Sequence, residues 1–372
     1  MTGGGRARAT VVIAGGGTAG HVLPGLAVAE ALVAAGVARA DVHIVGDRKG
    51  MEAELVPAAG FPMTLYDLRN FPRTLTIGHL RAAGKLVVAV VRAVGLLGRL
   101  RPRVVLSVGG YASVPTVLAA RLRRVPVVAL SYDALPGKAS RLAARMAVAT
   151  AVAFPDSPLP RPVLTGAPLR AEVLAVDRDR DRDAARGALG LPLDRQVVGV
   201  VGGSLGSLAL IEVVRELSTR WAGRRDLAIR VVTGNRWVDR APPATDGGDG
   251  LLLQVVPFER HMELLYAAVD VLVARAGATT VAEIAAVGVP SVLVPWPLAT
   301  EDHQTANARW LADVGGAVLL PEAELAARVG PELERLLTSP GDRTRLATAA
   351  RTVGRRDAAA AVAALVLKVS GT

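Results

Sequence analysis

The pattern that most constrains the fold is an apolar strand that runs into a glycine-rich turn and then into a helix, and the chain contains it twice. The first copy is Val11–Ala14 followed by the glycine-rich run 15–20. The second is Val197–Val201 followed by GGSLGS at 202–207. Glycines at a strand end let backbone N–H groups and a helix N-terminus approach a ligand closely. Strands that alternate with helices in this way predict a parallel α/β sheet in each half of the chain.

The length also favours two domains. The chain has 372 residues, which exceeds the usual size of a single core. Prolines at 155, 158, 160 and 162 interrupt the α/β pattern and are typical of a connection between domains. We therefore expect an N-terminal domain over 1–162 and a C-terminal domain over 163–372, with a ligand in the cleft between them. The alternating Asp and Arg run at 177–183 is interpreted as a solvated helix start or loop.

The excess of positive over negative charge lies in the first half of the chain. Residues 1–160 carry 19 Lys/Arg and 8 Asp/Glu, whereas residues 161–372 carry 25 of each, so the net charge of +11 lies entirely in the first part. This asymmetry is typical of a domain that meets an anionic surface. Aromatic residues make up only 3% of the chain, which argues against the base-stacking surface of a single-strand nucleic-acid binder. The anionic face of a membrane is the better candidate, with solvated surface arginines as the alternative.

The stretch 71–103 is basic and apolar together. Arg81, Lys85, Arg92 and Arg99 recur at intervals that keep them near one helical face, and valines and leucines fill the rest. A basic amphipathic helix of this kind can lie in a membrane interface, although the pattern also fits a core-facing helix with a solvated basic edge. The apolar residues are largely Ala and Val in short blocks, which argues against a spanning helix. The absence of cysteine argues against a disulfide framework and fits a cytoplasmic location.

Residues 274–307 gather polar side chains where predicted strands end. Arg275 and Gly277 follow one strand, Glu283 lies on the next helix, and a polar run at 301–304 starts another helix. In open parallel sheets, ligands bind at the carboxyl ends of strands. The residue types suit a phosphorylated, hydroxyl-rich ligand. The spacing of Thr280 and Glu283 also matches a helix capping box, so a purely structural role stays open.

One alternative interpretation rests on the first glycine run alone. Gly15, Gly17 and Gly20 match G-x-G-x-x-G, and Asp47 follows the second predicted strand, as in a dinucleotide site. This match favours an NAD-dependent oxidoreductase, but it leaves the second glycine-rich half unexplained.

Taken together, the motifs resemble the MurG-type transferases of glycosyltransferase family 28. The resemblance is carried, in chain order, by GGGTAGHVLPGLAVAEAL at 15–32, GGYASVPTVLAA at 109–120, GAPLR at 166–170, GGSLGS at 202–207, PFERHMELLYAAVDVLVARAGATTVAEI at 257–284 and EDHQTANA at 301–308. It implies the GT-B fold: two Rossmann-like α/β domains that face a cleft, with the last helix packing back on the first domain.

The resemblance further implies an inverting glycosyltransferase. Its members move N-acetylglucosamine from UDP-GlcNAc to undecaprenyl-pyrophosphoryl-N-acetylmuramoyl-pentapeptide (lipid I), which makes lipid II for peptidoglycan. We therefore expect a peripheral enzyme at the cytoplasmic face of the cell membrane, without a metal or cofactor and without a nucleic-acid partner.

The same resemblance implies a donor site, most of it in the second domain. The diphosphate would meet Arg170 and the loop around Ser204, the uracil the backbone near Phe258, and the sugars the groups near Glu283 and Gln304. The full implied donor set is Thr18, Ala19, Arg170, Ser204, Leu205, Gly206, Phe258, Arg275, Ala278, Thr279, Glu283, His303 and Gln304.

In the first domain, His21 is the candidate general base or transition-state hydrogen-bond donor, with a plain helix-capping role as its alternative. The acceptor would contact Gly17, Gly20, Tyr111 and Asp133. The chain departs from the family at Leu130–Asp133, where a His-Glu-Gln-Asn-like run is usual. A MurG-like paralogue with another lipid or natural-product acceptor is therefore the main alternative.

Two further functions stay open on the sequence. A UDP-GlcNAc epimerase of similar fold would need acidic catalytic residues, of which there is no obvious set. A sugar-nucleotide binder without activity would need no base.

Overall fold

The computed structural model describes residues 10–17, 19–68, 78–203 and 205–371. The chain forms two compact units. The first comprises the described residues up to Arg170 together with Arg356 onwards, and the second comprises Ala171–Arg355. The proline-rich stretch before residue 162 lies inside the first unit, because Pro162–Leu164 is the edge strand of its sheet.

The first unit is a parallel α/β sheet with helices between its strands. Among the described residues its strand order is β3-β2-β1-β4-β5-β6-β7. The strands are β1 (Val11–Ala14), β2 (Val42–Asp47), β3 (Met63–Tyr66), β4 (Val104–Ser107), β5 (Val127–Ser131), β6 (Ala149–Val152) and β7 (Pro162–Leu164). The helices are α1 (Ala19–Ala34), α2 (Glu52–Ala58), α3 (Gly78–Leu100), α4 (Val114–Arg123), α5 (Lys138–Met146) and, from the end of the chain, α14 (Ala358–Ser370).

The second unit repeats this architecture. Its strand order is β10-β11-β9-β8-β12-β13-β14, and within the described residues only β10 is antiparallel to its neighbour. The strands are β8 (Gln196–Val201), β9 (Leu227–Val232), β10 (Thr245–Asp246), β11 (Leu252–Val256), β12 (Val271–Ala274), β13 (Ser291–Leu293) and β14 (Val318–Leu319). The helices are α6 (Ala171–Leu174), α7 (Arg178–Leu189), α8 (Leu208–Arg220), α9 (Met262–Ala268), α10 (Ala278–Val287), α11 (His303–Ala312), α12 (Leu325–Thr338) and α13 (Pro340–Val353).

The central strands explain why the sequence reads as short apolar blocks. β1 and β4 in the first unit, and β12 in the second, are buried at every position. A parallel sheet covered on both faces requires this pattern, because neither side of the strand meets water. In the first unit the strand order reverses between β1 and β4, and the loops after these two strands therefore flank the position where open α/β sheets bind ligands.

The alternating Asp and Arg run at 177–183 is not simply solvated, as the sequence suggested. Asp177 caps α7 by accepting hydrogen bonds from the first-turn N–H groups. Arg182 and the buried Arg186 pair with the Asp270 carboxylate at 3.1 and 2.8 Å. Arginines four residues apart share a helix face, so one side of the run anchors α7 to the start of β12.

Candidate functional site

The glycine loop after β1 is held from inside by Glu52, the first residue of α2. Both oxygens of this buried carboxylate accept from the Gly17 N–H, at 3.1 and 3.0 Å. One of them also accepts from the Asp47 N–H at 2.6 Å. The loop therefore directs the Gly17 N–H to a carboxylate of the protein itself. Sequence reasoning missed Glu52, because Gly17 lies 35 residues away along the chain.

His21 lies in the first turn of α1, half-buried beside the loop that follows β4. A Cβ on Gly109 or Gly110 would approach the imidazole to 3.3 or 3.4 Å, so these glycines let the backbone pass close to the ring. On another side, the Tyr132 ring lies with its centroid 6.0 Å from that of His21. The imidazole therefore lies where the loops after β1, β4 and β5 meet.

The surroundings of His21 favour the neutral imidazole. Burial lowers the pKa of His21 below its ordinary value, while the carboxylates of Asp133 and Glu52 oppose the shift. A neutral imidazole can accept a proton, which is the requirement for a general base. The charges of the two carboxylates would stabilise an imidazolium at this position.

In the segment Leu130–Asp133, where the sequence departs from the family pattern, the first three residues are buried and Asp133 is partly exposed. Leu130 and Ser131 end β5 and are buried. Tyr132 is buried as well, and its hydroxyl donates to the Val108 carbonyl at 3.3 Å. Burial, and then the Asp133 charge, raise the pKa of Tyr132 well above its ordinary value, so this phenol stays protonated. Asp133 remains half-buried on the His21 side of the sheet.

The second unit places its glycine loop between β8 and α8. Gly206 has φ 69°, and a Cβ there would overlap the Thr233 carbonyl, so the loop needs glycine at this position. Ser207 is the N-cap of α8 and accepts from the Leu210 N–H at 3.4 Å. Leu205 is exposed. Of the predicted loop residues, Ser204 lies outside the described part of the chain, as does Thr18 in the first unit; the side chain of Ala19 is likewise not described.

Arg275 follows β12 and is directed into the protein. Its Nε and one terminal nitrogen donate to the Ser207 Oγ at 3.1 and 2.7 Å, and that nitrogen also pairs with the Glu322 carboxylate. The other terminal nitrogen donates to the carbonyls of Val294 and Pro295 at 3.2 and 3.1 Å. Since these bonds use all the N–H groups of a guanidinium, Arg275 links three segments of the described second unit.

Glu283 is buried on α10 and bonded to a tyrosine. The Tyr266 hydroxyl donates to the Glu283 Oε2 at 2.7 Å. The N-cap of α10 is Gly277, and it makes no side-chain cap bond, so the predicted capping box at Thr280 and Glu283 is wrong. The motif does not mark the helix start because α10 begins one turn earlier. Ala278 and Thr279 form the first turn of α10.

The loops after β11 and β13 add exposed groups at the same edge. Phe258 is exposed, and the next residue, Glu259, is buried and pairs with Arg230 at 2.7 Å. Gln304, in the first turn of α11, accepts from the Trp296 N–H at 2.9 Å through its Oε1. His303 precedes it and is half-buried. Parallel strands end at one edge of a sheet, so these loops and the glycine loop share that edge.

The remaining predicted residues lie in the first unit. Gly20 is in the first turn of α1, Tyr111 begins the 3-10 turn after β4, and Arg170 is the half-buried last residue before the second unit. Within the described residues, the His, Asp and Glu side chains form no group of three or more that could hold a metal ion.

Two family models match the chain, one in each half. Residues 11–152 match the glycosyltransferase family 28 N-terminal domain, and residues 197–362 match the glycosyltransferase family 28 C-terminal domain. The chain belongs to glycosyltransferase family 28. It is a glycosyltransferase of the MurG type, and its α/β fold is the GT-B fold that the motifs predicted.

Two curated relatives and one solved structure cover nearly the whole chain. A protein of Alkalilimnicola ehrlichii is 41% identical over 96% of this chain and 98% of its own length. A Clavibacter sepedonicus protein is 40% identical over 95% of each chain. Both are named UDP-N-acetylglucosamine--N-acetylmuramyl-(pentapeptide) pyrophosphoryl-undecaprenol N-acetylglucosamine transferase. The crystal structure of Acinetobacter baumannii MurG superposes with a TM-score of 0.71 at 30% identity, covering 96% of this chain and 99% of that one.

Proposed function

We propose that this chain is an inverting transferase that moves N-acetylglucosamine from UDP-GlcNAc to lipid I and so makes lipid II for peptidoglycan. The family and the names of its full-length relatives support this substrate pair. The observation that carries the donor half is the edge of the second sheet, where the glycine loop and Phe258 follow β8 and β11 and where the helices that carry Glu283 and Gln304 begin.

Each donor group then has a distinct task. The loop around Ser204–Gly206, at the N-terminus of α8, suits the diphosphate, whose negative charge grows as UDP leaves. The Glu283 carboxylate, oriented by the Tyr266 hydroxyl, suits the ribose diol. Gln304 has its Oε1 occupied by the Trp296 N–H, so its amide N–H groups are the ones to donate to sugar hydroxyls. Arg170 remains the proposed cation for the diphosphate.

In the acceptor half, His21 serves as the base. Its pKa, lowered by burial, leaves the imidazole neutral near neutral pH, and the neutral ring takes the proton from the attacking acceptor hydroxyl. The oxygen then attacks the anomeric carbon from the face opposite UDP, which inverts the configuration. Gly20, Tyr111 and Asp133 are the proposed acceptor contacts.

The dinucleotide interpretation of the first glycine loop is disfavoured by Glu52. In a dinucleotide site the loop N–H groups bind the pyrophosphate. Here the Gly17 N–H donates to a buried carboxylate, whose negative charge would also repel a phosphate.

A MurG-like transferase with another acceptor is the second candidate, and Leu130–Asp133 is the observation that favours it. Tyr132 fills space beside His21 where the family usually carries an amide. A transfer assay separates the two candidates by measuring UDP release from UDP-GlcNAc with and without a lipid I analogue. UDP binding without lipid I turnover would favour the second candidate.

We further propose that the enzyme acts peripherally at the cytoplasmic face of the membrane. Helix α3 exposes Val87, Val88 and Val91 by 62, 51 and 66%, and Lys85 and Arg92 lie beside them. From Leu68 to Tyr132 the sequence contains no Asp or Glu, so no carboxylate of that stretch repels anionic lipid. The part of the predicted segment at 71–77 lies outside the described residues. Every described helix is too short or too polar to cross a bilayer.

A groove on the same face adds to this proposal. It has a volume of about 440 Å³ and lies between α3 and the end of β3, with Lys85 and Asp67 paired at 2.5 Å along it. Liposome co-sedimentation tests the membrane proposal. Binding that requires anionic lipid and falls with salt supports it, whereas binding indifferent to both would contradict it.

A further inference from the structure

We propose that Glu52 is a positioning residue for His21: its carboxylate holds the glycine loop that leads into α1. This role rests on the proposed function, since it assumes that His21 is the base. The observations that carry it are the hydrogen bonds of Glu52, the space built around its carboxyl group and the position of His21 in the same short segment.

The hydrogen bonds of Glu52 join the loop to the neighbouring strand. Glu52 is 1% exposed and accepts from the Gly17 N–H with both oxygens and from the Asp47 N–H with one. Gly17 lies between β1 and α1, and Asp47 ends β2. One carboxylate therefore ties the loop after β1 to the end of the neighbouring strand. A hydrogen bond to a charged acceptor is worth more than one between neutral groups, so this tie is strong.

The space around the carboxyl group is made by glycines from three different segments. A Cβ on Gly16, Gly46 or Gly50 would overlap the Glu52 side chain. An ordinary first-turn glutamate needs no such space, because it lies at the helix surface. Three glycines surround this one carboxylate, which indicates that the backbone leaves space for it. The Glu52 side chain is therefore more than a helix cap covered by the surrounding chain.

The consequence for His21 is both geometric and electrostatic. His21 is only four positions after Gly17 along the chain, so the bond that holds Gly17 also constrains the position of the imidazole. Among the described residues, the groups near the ring include Tyr132, the Gly109–Gly110 backbone, and the charges of Asp133 and Glu52. Glu52 thus also supplies part of the negative potential that stabilises the imidazolium during transfer.

The test compares Glu52→Gln, which keeps the shape but removes the charge, with Glu52→Asp, which keeps the charge but shortens the reach. Glu54→Gln is the control, because Glu54 is an exposed carboxylate on the same helix. The readouts are the melting temperature, the KM for UDP-GlcNAc, kcat, the pH profile of kcat/KM and an NMR titration of the His21 ring, assigned with His21→Gln.

We expect Glu52→Gln to lower kcat by about ten-fold or more while KM for UDP-GlcNAc stays within about two-fold, since the donor residues of the second unit are untouched. The His21 titration and the acid limb of the pH profile should move to lower pH, because a nearby negative charge is gone. Glu52→Asp should lose kcat with a smaller change in the titration. Glu54→Gln should match the wild type.

Two results would overturn the inference. One is a folded Glu52→Gln protein with wild-type kcat and an unmoved His21 titration. The other is a kcat loss explained by a lower melting temperature alone, again with the titration unmoved. Failure of the proposed function is a separate outcome: wild-type protein would then turn over no lipid I analogue, while the His21 titration in the free protein would still judge Glu52.

Discussion

At the scale of single residues, the proposed mechanism depends on a histidine whose burial favours its neutral form. Burial lowers the pKa of His21, with Asp133 and Glu52 opposing that shift. A base must be neutral to accept a proton, so activity should fall only when the pH drops below this lowered pKa.

The first prediction follows directly. His21→Gln should lower kcat by about 10²–10⁴-fold, the usual contribution of a positioned base, and should remove the acid limb of the pH profile. Steady-state assays across pH measure both effects. His261→Gln is the matched control, because His261 is an exposed histidine of the second unit. An acid limb that survives in His21→Gln would show that another group is the base.

A second histidine makes a prediction about stability. His43 lies in β2, with its Nε2 2.9 Å from the Thr64 Oγ1. Burial, and then the charge of Arg99, lower its pKa to about 4. The unfolded chain therefore binds a proton at higher pH than the folded one does, so stability is full above about pH 6.5 and is lost as the pH falls toward 4.

The His43 ring is partly exposed, which limits the loss of stability. The full shift would correspond to about 3 kcal/mol, and solvent screening reduces it to about 1–2 kcal/mol. Urea unfolding at pH 7 and pH 4.5 should show this loss in the wild type and a smaller one in His43→Gln. Equal losses in both proteins would contradict the assignment.

At the scale of elements, two buried charged side chains brace the two glycine loops. Glu52 holds the loop after β1, and Arg275 links Ser207, at the end of the loop after β8, to Val294 and Pro295 and to Glu322. The resemblance implied that Arg275 contacts the donor. Its N–H groups point instead to protein acceptors, which favours a bracing role for the donor loops.

The third prediction tests that brace. Arg275→Lys cannot reproduce the planar set of donors, so it should lower the free energy of unfolding by about 3 kcal/mol and raise the KM for UDP-GlcNAc more than it lowers kcat. Chemical denaturation and steady-state kinetics measure these changes. Arg335→Lys is the control, since Arg335 makes more exposed ion pairs. If the two variants behaved alike, the bracing role would be excluded.

These two braces also mark the limit of sequence reasoning. The strand–glycine–helix pattern could be predicted, because burial on both sheet faces and close backbone approach dictate residue types locally. The roles of Glu52 and Glu322 could not be predicted, because Gly17 and Arg275 lie 35 and 47 residues from them and no local pattern links these pairs. The capping box at Thr280 and Glu283 misled for a related reason: a motif gives spacing, whereas the packing of α10 decides where the helix begins.

At the scale of the whole molecule, charge and apolar exposure coincide on α3. Val87 and Val91 are exposed on α3, and the sequence from Leu68 to Tyr132, which includes this helix, contains no Asp or Glu. The fourth prediction is that Val87→Asp and Val91→Asp each weaken binding to anionic vesicles by roughly ten-fold. Each variant loses apolar area that docking on the membrane would bury, and adds a negative charge that anionic lipid repels.

The matched control for this patch is Val148→Asp. Val148 is 50% exposed but lies outside α3, before β6. Vesicle flotation at two salt concentrations measures the affinities. An effect of the same size in Val148→Asp would mean that added negative charge, rather than the α3 surface, governs binding.

The two-unit architecture, the family and the residues at the edge of the second sheet all support the proposed transfer of N-acetylglucosamine. The most direct test is therefore to identify the product. The measurement is mass spectrometry of the lipid formed from UDP-GlcNAc and a lipid I analogue. We predict a product heavier by one N-acetylhexosamine, formed by the wild type and strongly reduced in His21→Gln. An unmodified lipid I analogue, from protein that still binds UDP, would contradict the proposed acceptor.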